Sequence, residues 1–115
     1  MNDSGQDLVL ALREQRALLV QSVHDMKNFG RYLARATRDY KIALRKEILR
    51  LRLEDGVAWT ACYELALGQE TVAELRFKRD VYQSDYDVSI EQINAVKLEL
   101  RLLENEIKAE WGQSR

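Results

Sequence analysis

Residues 70–111, ETVAELRFKRDVYQSDYDVSIEQINAVKLELRLLENEIKAEW, decide the fold. Val72, Leu75, Arg79, Tyr82, Tyr86, Ser89, Ile93, Val96, Leu100, Leu103, Ile107 and Glu110 advance in alternating steps of three and four, and nine of these twelve are apolar or aromatic. Such a spacing is a heptad seam, the stripe a helix turns toward a long helical partner. A helix of this length would run about 60 Å at 1.5 Å per residue, more than a compact domain requires. Its partner must therefore be another long helix, and within this chain only residues 7–54 can supply one.

That segment has the same periodicity. Leu8, Leu12, Leu19, Met26, Phe29, Leu33, Ala36, Tyr40, Ala43 with Leu44, Ile48 and Leu51 again advance by threes and fours, with Gln15 and Ser22 as polar members of the seam. The steps through residues 40, 44 and 48 form a stutter, which relaxes a supercoil locally. Ser4 and Asp7 have the spacing of a weak capping pair at the start. Gly30 lies inside the helix, where glycine costs about 1 kcal/mol against alanine, so close packing or a slight bend is expected there. Asp55-Gly56 should end the helix, with Gly56 in the left-handed conformation. Thr60 is then the expected cap of a short helix over residues 60–67, stopped by Gly68, before the long helix of residues 70–111.

The expected fold is all-α: one domain over residues 1–115, a long antiparallel, coiled-coil-like hairpin with a short helix at its elbow. A chain of 115 residues has room for no second core. Reversal about residue 62 would place position i opposite roughly 124 − i, setting the basic first helix beside acidic residues of the second. Residues 1–52 carry eleven Lys/Arg against six Asp/Glu, and residues 53–115 seven against thirteen. Apolar residues off the seam, namely Phe77, Val81, Val88, Ile90, Leu98 and Leu102, with Leu10, Leu18, Val20 and Val23 on the first helix, exceed what one partner covers. They imply self-association into a dimer or a larger multi-helix bundle.

Composition narrows the functional classes. Proline is absent, charged residues make up 32 %, and the net charge is −1, which by itself favours neither a polyanion nor a membrane surface as partner. A single cysteine, Cys62, excludes an internal disulfide and fits a reducing, cytoplasmic setting. The first residues lack a signal-peptide pattern, and no stretch is apolar enough to span a membrane. His24 stands alone beside Asp25, with no second histidine, cysteine pair or glycine-rich phosphate loop, so no catalysis, metal or cofactor is expected. Cys62 reads as a small buried side chain rather than a nucleophile.

Two surfaces are candidates for binding. Lys27, Arg31, Arg38, Lys41, Arg45 and Arg52 share one side of the first helix and form a stripe about 37 Å long at 1.5 Å per residue. It could track phosphates, with Tyr32 stacking a base; the plainer reading is a solvated face. Trp59, Tyr63, Leu65 and Leu67 gather at the elbow, either as a plug for the end of the hairpin or as an aromatic docking tip for a protein partner. Residues 60–78 also scan as helix-turn-helix, but the second helix belongs to the long seam and a third supporting helix is lacking.

The run EDGVAWTACYELALGQETVAELRFKRDVYQSDYDVSIEQINAVKLELRLLENEIKAEW resembles a class of small, uncharacterised helical proteins of phages and prophages of Gram-positive bacteria. Gly56, Thr60, Gly68, Val72 to Arg76, Arg79-Asp80, Tyr86 and Glu110-Trp111 carry the likeness, which covers about half the chain. It implies origin on a mobile element, action in a bacterial host cell beside replication or recombination genes or as a small inhibitor, and no catalytic residue. The leading expectation is a non-enzymatic, self-associating interaction protein that binds a protein partner. The alternative is a nucleic-acid-binding accessory factor using the basic face of the first helix.

Overall fold

The computed structural model describes residues 3–113, all in three helices and the turns that join them. Helix α1 spans Asp3–Leu53, α2 Trp59–Leu67 and α3 Glu70–Gln113, and the two long helices pack against each other with the short one between them. The heptad reading of 70–111 thus gives the fold class. The first helix starts earlier than residue 7, and Ser4 already lies within it. Two compact units divide the chain, one of Asn28–Tyr86, the other of the residues up to Lys27 with those from Asp87 onward.

In the unit of residues 28–86, Ala36, Tyr40, Leu51 and Val72 are buried, and Phe29, Leu33, Leu44, Ile48, Leu75, Tyr82 and Tyr86 half-buried. All are seam positions. Arg79, the seam's one cation, is accommodated because its guanidinium sits 4.7 Å from the centre of the Tyr40 ring while Asp80 holds it at 2.7 Å. A cation over an aromatic face gains roughly 0.5–1 kcal/mol where it is part-exposed. Tyr32 packs on Tyr82 with ring centres 5.4 Å apart. Gly30 is where α1 comes close to α3: a methyl group built on it would meet the Tyr86 ring at 3.4 Å.

These contacts revise the register. A symmetric reversal at residue 62 would set Gly30 opposite Asn94, Tyr32 opposite Gln92 and Tyr40 opposite Ser84; instead they meet Tyr86, Tyr82 and Arg79. The shift is about one heptad, and α2 is its cause. Cys62 and Ala66, both fully buried, lie one turn apart and let α2 approach α1 closely, where they form a small core with Leu51, flanked by Leu44, Ile48 and Val57. Packing against α2 thus takes the seam at the C-terminal end of α1. The ion pairs Arg38–Asp39, Arg50–Glu47, Arg50–Asp55 and Arg79–Asp80 of this unit are local in sequence, so these four do not set the register.

The elbow is fixed by its backbone. Gly56 adopts φ 69°, in the left-handed region open to glycine, and the Val57 N–H donates to the Leu51 carbonyl at 3.0 Å. Arg50 clamps this end of α1, its guanidinium forked onto both oxygens of Glu47 and reaching Asp55 at 3.1 Å. Thr60 does not cap α2: Ala58 precedes the helix, and its carbonyl accepts from the Ala61 and Cys62 N–H groups. For α3 the cap is Gln69, whose side-chain oxygen accepts the Val72 N–H at 2.8 Å.

In the unit formed by the two chain ends, Ser22, Ser89, Ile93, Val96 and Leu103 are buried, with Leu12, Leu19, Met26, Leu100 and Ile107 half-buried. Glu110, placed on the seam by the spacing, is exposed. Among the described residues no helix is long and apolar enough to cross a membrane.

Candidate interaction surface at the elbow

The burial of Cys62 and Ala66 determines what the rest of α2 does. On a two-turn helix, using these two small residues as the packing face turns Trp59 and Tyr63 outward, 56 % and 50 % exposed. The expectation that the elbow aromatics plug the hairpin is therefore corrected: Cys62, Ala66 and Leu51 fill that place. Leu65 is exposed and Leu67 half-buried. Cys62 is the small buried side chain its neighbours suggested, its Sγ 3.5 Å from the Val57 carbonyl.

Trp59 and Tyr63 instead form one wall of an open groove of about 530 Å³, with Leu44, Ile48 and Leu49 of α1 opposite and Lys41 and Arg45 at its edge. A groove of this size, apolar inside and cationic at the rim, can take a few large side chains of a partner helix. Arg52 stiffens the wall, its guanidinium 5.5 Å from the Trp59 ring centre and donating to the Val57 carbonyl. Two surfaces that the sequence presents as alternatives, the basic stripe and the elbow, thus converge: Lys41 and Arg45 of the one border Trp59 and Tyr63 of the other. Leu65 and Leu67 do not line the groove. Leu44, Ile48 and Leu49 do, and were not expected as site residues. Leu49 breaks the seam spacing next to the buried Leu51, which is the one signal that could have found it.

The basic stripe is not a uniform row. Lys27, Arg31, Lys41 and Arg45 are exposed and make no ion pair among the described residues, whereas Arg38 is held by Asp39 at 3.1 Å and Arg52 lies against Trp59. Tyr32 is less available for stacking than its position suggests, since Tyr82 and the Phe29 ring engage it. It does border a second, smaller hollow of about 190 Å³ with Arg35, Arg38 and Lys78. The seam residues Val72, Ile93, Val96 and Leu103 are buried and Leu75, Tyr82, Tyr86, Leu100 and Ile107 half-buried, each within its own unit. Among the described residues no three His, Cys, Asp or Glu side chains gather in a metal-binding group.

Compared with known proteins, the chain matches no family model, no curated sequence and no solved structure.

Proposed function

We propose that this is a non-enzymatic, self-associating helical interaction protein that acts in the cytoplasm and engages a protein partner through its elbow groove. The observation that supports this reading is the outward turn of Trp59 and Tyr63 beside an apolar groove edged by Lys41 and Arg45. Aromatic side chains held on a rigid helix and left half-exposed are the commonest anchors of protein contacts, because they desolvate much area at little entropic cost. The same proposal includes origin on a phage or prophage, to which the resemblance of residues 54–111 points. A photo-crosslinking side chain in place of Tyr63 tests the docking reading in bacterial host cells. One discrete protein adduct, lost in Trp59→Ala, is the expected result; crosslinks to many unrelated proteins, or none, would oppose it.

A second reading, nucleic-acid binding, is favoured by one feature: the hollow that brings Arg35, Arg38 and Lys78 beside Tyr32. It requires affinity that falls steeply with salt, because phosphate neutralisation releases counterions. The variant Arg31→Glu with Arg38→Glu should then weaken binding on every sequence. Absence of binding at physiological salt is the outcome expected here, since Arg38 and Arg52 are already engaged within the chain.

A further inference from the structure

Both long helices carry a second heptad stripe within residues 28–86, on the side away from the seam. On α1 it runs Arg31, Arg35, Arg38, Ile42, Arg45, Leu49, in steps of four and three, and every member is exposed. On α3 it runs Glu70, Glu74, Phe77, Val81, Ser84 with the same alternation, again exposed throughout. At 100° per residue each stripe lies roughly 150° around its helix from the buried seam. The two stripes therefore face opposite ways and cannot meet within one chain. One is basic with two large aliphatic residues, the other acidic with Phe77 and Val81, 66 % and 41 % exposed. Each also borders a hollow: Arg45 and Leu49 edge the elbow groove, while Phe77 and Val81 flank one of about 360 Å³ with Glu74 and, on its other side, Lys78.

We propose that copies of this chain associate head-to-tail, the basic stripe of α1 around Ile42, Arg45 and Leu49 in one copy receiving the acidic stripe of α3 around Glu74, Phe77 and Val81 in the next. The inference rests on the self-association reading and adds to it the surfaces, their signs and the symmetry. Charge complementarity selects the second copy as occupant: like stripes would set arginine on arginine or glutamate on glutamate, whereas the unlike pair apposes opposite charges along a shared heptad spacing. Contact between different faces is heterologous, so it leaves a free face at each end and grows beyond a dimer unless a ring closes.

The test uses two face variants of the full chain, Ile42→Glu with Leu49→Glu, and Phe77→Glu with Val81→Glu, followed by sedimentation velocity and circular dichroism. Each alone should remain helical and sediment as a monomer. Their equimolar mixture should form a dimer and nothing larger, since one intact face of each kind remains. Assembly of either variant alone, or a mixture that stays monomeric, would overturn the head-to-tail contact while leaving self-association standing; a monomeric wild type would remove both. Should the glutamates on these faces unfold a variant, charge reversal serves instead. Arg31→Glu with Arg35→Glu, or Glu70→Arg with Glu74→Arg, pairs that share one four-residue step, should each weaken assembly about tenfold, and all four together should restore it. A four-fold variant no stronger than either pair would overturn the proposal.

Discussion

Single side chains show where packing and polarity conflict. Ser22 is buried on the seam with a hydroxyl that has no hydrogen-bond partner among the described residues. A buried, unsatisfied hydroxyl costs about 1–3 kcal/mol, so Ser22→Ala should raise stability by about 1 kcal/mol, read as a higher midpoint in urea. A lower midpoint would mean that the hydroxyl is satisfied. Gly30 poses the opposite question, because a methyl group fits at 3.4 Å from the Tyr86 ring and helix propensity favours alanine by about 1 kcal/mol. Gly30→Ala should be neutral to stabilising, whereas Gly30→Leu should displace Tyr86 and destabilise. The Glu47 carboxyl is held below its usual range, first by the hydrogen bond from Arg50, with its charge adding to this and partial burial opposing it. A depressed carboxylate stabilises above its unfolded-state pKa and loses that contribution as pH falls through the folded one. Acid should therefore loosen the Arg50 clamp, and Glu47→Gln should remove that part of the pH dependence.

At the scale of the element, α2 is the piece that sequence patterning leaves ambiguous. The long helices announce themselves because a seam sustained over many heptads admits no other period, and each described seam position but Glu110 is buried or half-buried. A nine-residue helix offers two turns and no such repetition. Trp59 and Tyr63 look like core by size, yet Cys62 and Ala66 at a four-residue spacing are what allow close approach to Leu51. Shape, not hydrophobicity, chooses the buried face. The register follows from this choice, which is why it was illegible too. Ala66→Leu should then cost about 1–3 kcal/mol by overpacking, measured by denaturant unfolding, while Trp59→Ala should change the stability of the chain little. Equal losses from both would return the aromatics to the core. At the turn itself, Gly56→Ala must place a Cβ at φ 69°, and a loss of about 1 kcal/mol is expected in the same measurement.

For the whole molecule, the seam supplies the fold and the outer faces supply what it can do. Leu103 is buried, and Leu103→Asp should unfold the chain or nearly so, because an unpaired buried carboxylate costs several kcal/mol, comparable with the stability of a small domain. Near-normal helicity and melting would show that the wrong face has been assigned. Large apolar side chains remain exposed on all three helices, among them Leu49, Trp59, Phe77, Val88 and Leu102. A near-neutral net charge of −1 does nothing to keep copies apart. Sequence pattern already separated the seam from this surplus, but it could not say that the basic stripe and the elbow share a groove, since that depends on which side of α2 faces α1. Sedimentation equilibrium of the unmodified chain at tens of micromolar tests the self-association reading most directly. The mass should exceed that of one chain and rise with concentration; a strict monomer throughout that range would contradict it.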